Sequence, residues 1–487
     1  MRKKLLTTCL VLASCLTMYA GDLVTNTNQN VTFLRNPARD ASTEIDAAYT
    51  NPAGLAFLKG DNKLFFSLNN QSAFQTRTIT ADFAPFAGFG GNATKAFEGK
   101  TSAPFVPNLQ AAYKTGKWVF SANIGVVGGG GTLNFNKGLP SFESTVAIVP
   151  AFLNSVNTAL SSMNPAVPNF GFGNYSLESQ MKGTSMIIGA QLGATYTITE
   201  HLSAYLGVRY NYVNNSYKGY LNNVRLGMGG GMVSPSEVIS DPTFSYIVSN
   251  TPTLAALPTL ITAMTGNKEL DCKQSGGGIA PIISLDYNWN GLNIGAKYEF
   301  KTGVNLKNKT TTNSTGVHDY EDGVTIPNDI PAMFAFGAKY DIISPLTVSV
   351  GYHHFFDSNA KMADNKQQNI NGGVNEYLAG LEYRINKMFL VSCGAQITRP
   401  GLKDEYFSDL SFDVNSVSFG IGGAIDITKN IRVNLAYLIT NYSDRTISSD
   451  DYGNINALTG GAISATHGTN VYARTNHCFG IGVDFSF

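Results

Sequence analysis

The C-terminal stretch H-C-F-G-I-G-V-D-F-S-F, residues 477–487, decides the fold that this sequence predicts. In an extended chain, side chains two positions apart share one face of the strand. One face is therefore apolar and carries His477, Phe479, Ile481, Val483, Phe485 and Phe487. The other face holds only small or polar residues. A last strand that ends on an aromatic residue is typical of bacterial outer-membrane barrels, so we expect the closing strand of a transmembrane β-barrel. An ordinary edge strand remains the alternative.

The composition agrees with a strand-built membrane protein. Charged residues make up 14% of the 487 residues, below the roughly 25% that is usual for soluble domains. Beyond residue 20 we find no run of about 18 uncharged apolar residues, so we expect no membrane-spanning helix. Strands that cross a bilayer must close into a barrel to satisfy their backbone groups. The 34 basic residues balance the 34 acidic ones without a basic tract, which argues against a nucleic-acid partner.

Residues 1–20 are typical of a secretory signal peptide. Three basic residues, Arg2 to Lys4, precede an apolar segment from Leu5 to Leu16, and the region ends in Thr17-Met18-Tyr19-Ala20. We expect cleavage after Ala20. The alternative is that Leu12-Ala13-Ser14-Cys15 forms a lipoprotein signal with an acylated Cys15.

Runs of about ten residues with alternating apolar and polar side chains recur along the chain. Fourteen such runs lie at 63–72, 108–114, 117–127, 183–198, 202–217, 278–289, 292–305, 332–342, 346–356, 374–385, 389–399, 414–427, 431–442 and 475–487. Short turns and long loops alternate between them. An even strand number is what single-chain bacterial barrels require. The sequence therefore predicts an all-β protein, an antiparallel transmembrane barrel of fourteen strands over residues 62–487.

Charged side chains fall on one face of the predicted strands. In the run 292–305, Lys297, Glu299 and Lys301 alternate with apolar residues. A lysine on the lipid face near the midplane would cost roughly 2–4 kcal/mol, so this face should line the lumen. The same inner register holds Arg209, Glu382, Arg384, Asp426 and Asp484. Their mixed signs predict a network that holds a plug rather than a charge-selective ring, and solvated charges near strand ends are the alternative.

Residues 21–61 lack the strand alternation and instead carry prolines and small residues that suit short helices and turns. Within them, D-A-A-Y-T-N-P-A-G-L-A at residues 46–56 stands directly before the first predicted strand. This segment resembles the signature of the FadL-type outer-membrane transporters of long-chain fatty acids and aromatic hydrocarbons. The resemblance implies a barrel of fourteen strands whose lumen is closed by a small N-terminal helical plug. It places the motif residues Asn51, Pro52 and Ala53 in that plug.

Two outer loops are unusually apolar, with apolar residues at roughly helical spacing within 145–163 and 244–264. Exposed apolar surface of this kind often marks a binding site for hydrophobic ligands. The resemblance implies a first capture site between helical segments of the loops that follow the third and fifth strands, and these two loops follow those strands. The predicted ligand-binding residues are Val149, Phe152, Leu153, Val156, Leu160, Tyr246, Ile247, Leu257 and Leu260. The alternative is that these helices pack on each other and cap the barrel.

Near the end of the third predicted strand, G-V-V-G-G-G-G at residues 125–131 lacks the Lys-Ser/Thr of a phosphate loop. Consecutive glycines weaken strand pairing and permit a kink. The resemblance implies that such a kink opens the wall so that a ligand leaves sideways. Adjacent His353 and His354 point to opposite faces and cannot share one metal ion. No local signature of a Ser-His-acid hydrolase is present.

The sequence thus predicts a non-enzymatic outer-membrane protein that takes up hydrophobic small molecules, such as long-chain fatty acids, with an Arg or Lys holding the carboxylate. We expect no cofactor and no metal, outer-membrane lipid around the barrel, and a monomer. The alternative function is a surface receptor or adhesin that binds a protein or haem through its long loops. Uptake of oleate, compared with adhesion, discriminates the two.

Overall fold

The computed structural model describes residues 30–487, so the predicted signal peptide and the alternative acylated Cys15 lie outside the described residues. The chain forms one closed barrel of fourteen antiparallel strands, which confirms the predicted fold class. The strands are β1 Lys63–Phe83, β2 Thr94–Thr115, β3 Trp118–Phe135, β4 Tyr175–Thr197, β5 Leu202–Met228, β6 Lys268–Trp289, β7 Leu292–Glu299 with Asn305–Asn313, β8 Thr325–Pro327 with Met333–Ile343, β9 Leu346–Phe355, β10 Asn375–Arg384, β11 Phe389–Arg399, β12 Ser416–Asp426, β13 Ile431–Tyr442 with Arg445–Ser449, and β14 Gly468–Ser486.

The barrel closes where β14 pairs with β1 along their whole shared length. Phe65 pairs with Ser486 and Phe83 with Gly468, without a register shift between them. Phe487, beyond the last strand residue, exchanges two backbone hydrogen bonds with Leu64. The stretch at residues 477–487 is therefore the closing strand, as its two-faced pattern predicted.

Side chains alternate between the lumen and the outer surface along each strand. In β6, Ile283 and Leu285 are 45% and 53% exposed, whereas Ser284 and Asp286 are buried. The apolar side chains thus form the outer belt, and the polar ones point inward. This inversion relative to a soluble protein follows from placing lipid outside the barrel.

Exposed aromatic residues encircle the barrel near its short turns. They are Tyr113, Trp118, Tyr196, Tyr287, Trp289, Tyr340, Tyr383, Phe389 and Phe487, all between 36% and 65% exposed. Tyrosine and tryptophan rings prefer the membrane–water interface because one end is apolar and the other polar. We call this end of the barrel the short-turn end and the opposite end the loop end.

The strands extend further toward the loop end than the sequence predicted. The predicted loop 73–107, for example, is mostly the upper parts of β1 and β2, which pair from Ala73–Ala103 to Asp82–Thr94. Beyond the lipid belt, backbone pairing continues while the outward face no longer needs to be apolar. Hydrophobic alternation therefore marks only the part of each strand that faces lipid.

β7 is also interrupted, between Glu299 and Asn305, where the sequence predicted one continuous strand. The neighbouring strand β6 carries Pro281, which has no N–H to donate to the ladder. It also carries Gly278, where an added Cβ would lie 2.3 Å from the carbonyl oxygen of Gly303. Lys301 lies in this interruption, and its Nζ is 2.9 Å from Asp329 Oδ2.

The N-terminal segment folds into short helices inside the barrel. These are α1 Val31–Arg35, α2 Ala47–Thr50 and a 3-10 helix, Pro52–Phe57. Nearly all of residues 30–58 are buried, although the segment is too short to form a core of its own. It contacts strands on all sides of the barrel, from β1 and β2 to β12 and β14. We call residues 30–58 the plug.

The long loops carry helices α3 Pro140–Met163, α4 Pro235–Ser240, α5 Pro242–Asn250, α6 Leu257–Thr265 and α7 Ile455–Leu458. By length and composition α3 could cross a membrane, a possibility that the sequence analysis did not foresee. In the structure, however, its apolar residues join a large core with α5, α6 and the upper ends of β1, β2 and β5. This loop core covers the barrel at the loop end.

Candidate functional site

The Asn51-Pro52-Ala53 motif attaches the plug to three neighbouring strands. Asn51 Nδ2 donates to Asp286 Oδ2 at 2.9 Å. The Pro52 carbonyl accepts from Thr195 Oγ1 at 2.7 Å, and the Ala53 carbonyl accepts from Ser203 Oγ, also at 2.7 Å. The Ala53 N–H donates to Ser284 Oγ at 3.0 Å. These contacts satisfy backbone groups that a short buried helix would otherwise leave unpaired.

On the opposite side, the plug backbone rests directly on inward-facing glycines of the wall. An added Cβ would lie 2.1 Å from the Leu34 carbonyl oxygen at Gly420, and 1.8 Å from Asn36 Oδ1 at Gly380. Plug atoms, here of side chains, would also lie 2.1–3.0 Å from an added Cβ at Gly295, Gly337, Gly351, Gly394, Gly422 and Gly480. Several of them are cross-strand partners, such as Gly380 with Gly394 and Gly394 with Gly420. They form a glycine belt in which no side chain separates the plug from the wall.

Charged residues of the wall also hold the plug. Glu382 accepts from Arg35 Nη1 at 2.7 Å and from Arg39 Nη1 at 3.3 Å. Arg39 Nε in turn donates to Asp46 Oδ2 at 2.6 Å. Arg35 is fully buried, and Glu382 compensates the buried charge.

A second group of charges lies closer to the short-turn end. Arg384 Nη1 is 2.8 Å from Asp426 Oδ2, and Arg432 Nε is 2.7 Å from Asp426 Oδ1. Arg432 also reaches Glu44 of the plug at 2.7 Å. Arg384 is 36% exposed in its side chain, so water screens this pair more than it screens the pair at Arg35.

His353 joins the plug to the wall, a role that the sequence analysis did not assign to it. Its Nε2 lies 2.8 Å from Asp40 Oδ1 of the plug, and its Nδ1 lies 2.8 Å from Glu376 Oε2 of β10. All three residues are buried. Among residues 30–487, no cluster of three His, Cys, Asp or Glu side chains has a metal-binding arrangement.

Three further predicted lumen charges, Arg209, Lys297 and Glu299, meet at Tyr49 of the plug. The guanidinium carbon of Arg209 lies 4.5 Å, and Lys297 Nζ 5.0 Å, from the Tyr49 ring centroid. Lys297 Nζ donates to the Tyr49 carbonyl at 3.0 Å. Arg209 is paired with Glu299 in a buried hydrogen-bonded contact. The three charges therefore form one site with the plug, which we call the Tyr49 site.

An apolar cluster adjoins the Tyr49 site on its loop side. It consists of Tyr49, Val127, Ile187, Val213, Val304, Leu306 and Ile330. A cavity of about 20 Å³ lies between this cluster and the charges, with Met333 and Phe355 on its far wall. The arrangement places an apolar surface beside fixed polar groups.

The barrel wall is not continuous beside this cluster. Pairing of β2 with β3 breaks off between Ser102–Thr132 and Asn108–Gly125, and β3 shifts register against β4 on both sides of Gly128 and Gly129. The intervening glycines include Gly129 with φ +66° and Gly130 with φ +111°. These backbone conformations suit glycine and interrupt a regular ladder.

Backbone pairing is interrupted in this gap between β2 and β3, and packed side chains fill it. Ala103, Val106 and Val126 are buried against one another, with Ala73 and Met186 packed on them. Val126 has the register of an outward-facing residue, yet it is only 8% exposed. We call this group the β2–β3 seal.

The predicted ligand-binding residues of the outer loops occupy two different environments. Val149, Leu153 and Leu257 are buried in the loop core, where α3 packs against α6. The half-buried ones are Phe152, Val156, Leu160, Ile247 and Leu260, and Tyr246 is 69% exposed. The helices therefore pack on each other and still present an apolar outer surface.

Another loop fixes the start of α3. The Ser141 N–H donates to Asp409 Oδ2 at 2.8 Å. Burial raises the pKa of Asp409, and this hydrogen bond opposes the rise. The loop after β11 is thus tied to the loop after β3.

No protein-family model and no curated protein matches this chain by sequence. Its structure is similar to that of a FadL homologue from Pseudomonas aeruginosa, with a TM-score of 0.58 and 10% identity over 96% of this chain and 99% of the other. It is also similar to the Pseudomonas putida toluene transporter TodX, with a TM-score of 0.52 and 14% identity over 96% and 99% of the two chains. Together with the plug and the fourteen strands, these similarities confirm the fold that residues 46–56 predicted: the chain has the fold of the FadL-type barrels, closed around an N-terminal plug.

Proposed function

We propose that the chain belongs to the FadL-type transporters and lets hydrophobic small molecules cross the bacterial outer membrane passively. The observation that carries this proposal is the β2–β3 seal beside a plugged lumen. A plugged barrel does not conduct through its centre, whereas a wall segment closed only by aliphatic side chains can open without breaking a strand ladder. The short-turn end then faces the periplasm.

In the proposed route, the ligand first binds to the outer surface of the loop helices, at Phe152, Val156, Leu160, Ile247, Leu260 and Tyr246. It then reaches the apolar cluster beside the Tyr49 site and leaves sideways when the seal opens. No bond is made or broken. The driving force is burial of apolar surface, about 25 cal/mol per Å², so the direction of transport follows the ligand gradient.

The first step is tested by the double variant Phe152→Ser/Tyr246→Ser in cells that display the barrel. We expect uptake of radiolabelled oleate and toluene to fall severalfold, because both replacements remove apolar surface without emptying the loop core. The matched control is Ser155→Ala/Thr243→Ala, at exposed polar positions of the same helices. Unchanged uptake combined with loss of adhesion to protein-coated surfaces would instead support a surface receptor.

A further inference from the structure

Two acceptor oxygens at the Tyr49 site accept no hydrogen bond. Glu299 and Asn211 are 6% and 1% exposed, and both line the cavity of about 20 Å³ above the plug. Glu299 Oε2 and Asn211 Oδ1 have no hydrogen-bond partner. A buried acceptor that receives no hydrogen bond is unfavourable. A ligand that supplies a hydrogen-bond donor in this cavity would therefore be stabilised.

The donors of the site are already engaged. Arg209 binds Glu299 through Nη1, and its Nε and Nη2 donate to Gln191 Oε1 at 3.2 Å and 2.7 Å. Lys297 Nζ donates to the Tyr49 carbonyl and stands 3.9 Å from Glu299 Oε2, which is too far for a hydrogen bond. Asn211 Nδ2 donates to Thr302 at 2.8 Å. A ligand that needs a donor from the protein therefore finds none free among these residues.

Arg209 and Tyr49 also line the cavity, and the remainder of its wall is apolar. It is formed by Val127, Ile330, Pro331, Met333 and Phe355. The free volume of about 20 Å³ accommodates one hydroxyl-sized group. The polar end of a ligand fits beside Glu299 and Asn211, and Val127 of the apolar wall directly follows Val126 of the β2–β3 seal.

We infer that the Tyr49 site selects hydrophobic molecules that end in a hydroxyl group, alcohols or phenols, over those that end in a carboxylate. This inference rests on the proposed function and specifies its substrate class. A hydroxyl donates to the Glu299 carboxylate, and such charge-assisted hydrogen bonds are strong. A carboxylate would bring a second negative charge against Glu299, and the donors of Arg209 and Lys297 that could offset it are already engaged with Glu299, Gln191 and the Tyr49 carbonyl. The fatty acid implied by the resemblance is therefore the poorer ligand of this site.

The test compares binding of radiolabelled decan-1-ol and decanoate at pH 8 to the purified, detergent-solubilised barrel, corrected with empty micelles. We expect the wild type to bind decan-1-ol at least about tenfold more tightly than decanoate. Glu299→Gln should reverse this order, because it removes the anion and frees Arg209 for the carboxylate. Asp484→Asn is the matched control: it removes one lumen carboxylate that does not line the cavity, and it should leave the ratio unchanged.

Asn211→Leu provides a second variant that keeps every charge of the site. It should weaken decan-1-ol binding severalfold and leave decanoate binding unchanged. Heat-modifiable gel migration shows which variants have folded. Equal or tighter decanoate binding by the wild type, or an unaltered ratio in folded Glu299→Gln, would overturn the inference while uptake still supports a transporter. Failure of the wild type to bind either compound and to take up oleate or toluene would overturn the proposed function itself.

Discussion

The carbonyl oxygen of Leu34 in the plug lies directly against Gly420 of β12, where an added Cβ would be 2.1 Å away. Gly420→Ala should therefore push the plug away from the wall. Overpacking of this kind typically costs about 1–3 kcal/mol. We expect a lower guanidinium unfolding midpoint and a higher channel conductance in planar bilayers, because the displaced plug no longer closes the lumen.

The matched control for Gly420→Ala is Ala395→Leu on the neighbouring strand. Ala395 has the outward register of β11, so the added bulk faces lipid rather than the plug. Unfolding and conductance should both match the wild type. Equal conductance of Gly420→Ala and the wild type would show that the plug tolerates a side chain in the glycine belt.

Glu382 and Arg384 offer a comparison of two charge pairs on one strand. Glu382→Gln leaves Arg35 and Arg39 of the plug without their wall carboxylate, and breaking a buried pair typically costs about 3–5 kcal/mol. Arg384→Gln breaks a partly exposed pair, for which about 0–1 kcal/mol is expected. Chemical unfolding of both variants measures the difference. Similar losses would mean that Glu382 does not hold the plug.

The β2–β3 seal predicts a permeability phenotype. Val106→Ala/Val126→Ala shortens two of the side chains that close the gap, so small apolar dyes should enter cells faster than through the wild type. Val208→Ala is the control, because Val208 is 50% exposed on the outer face of β5. Equal dye entry in all three proteins would rule out the seal as the lateral route.

The stability of the protein should depend on pH through Asp357, a residue of the outer loop after β9. Burial raises the pKa of Asp357 to about 6, although the Val374 N–H donates to its carboxylate. Because the folded pKa lies above the ordinary Asp value, the folded state binds the extra proton and gains stability as the pH falls from about 6 toward 4. This gain in the free energy of unfolding is lost as the pH rises through about 6. At most it amounts to an energy on the order of 3 kcal/mol.

Asp357→Asn should make the stability less dependent on pH between about 4 and 6. The amide oxygen still accepts a hydrogen bond from the Val374 N–H, and the amide carries no charge. Thermal unfolding at pH 4 and pH 7 measures the effect. Asp364→Asn, at an exposed position of the same loop, should retain the wild-type profile. A pH dependence that survives in Asp357→Asn would assign it to another group.

The sequence predicted the barrel well because lipid enforces the alternation it relied on. The prediction failed where lipid no longer imposes this alternation, because the upper parts of β1 and β2 pair without an apolar outer face. The interruption of β7 was missed because its cause, Pro281 with Gly278, lies on the neighbouring strand.

The sequence predicted which residues of the candidate site face the lumen, but it did not predict that they meet at one place. Arg209, Lys297 and Glu299 were placed in the lumen by their register, but their meeting at Tyr49 depends on how the plug sits. The glycine belt carried a signal, since its glycines fall on inner-face positions of successive strands. Only the close approach of the plug explains why no side chain is tolerated there. The unpaired oxygens of Glu299 and Asn211 leave no trace in the sequence.

The plug joins β1 through the short segment 59–62, and Lys114 Nζ donates to the carbonyls of Ala56 and Leu58 at 2.7 Å and 2.6 Å. So short a tether spans at most about 14 Å, and β1 is one of the two strands that close the barrel. The plug accordingly stays next to the β1–β14 seam, whether the seam is open or closed. During biogenesis, a plug held this close does not have to diffuse to its binding site in the barrel.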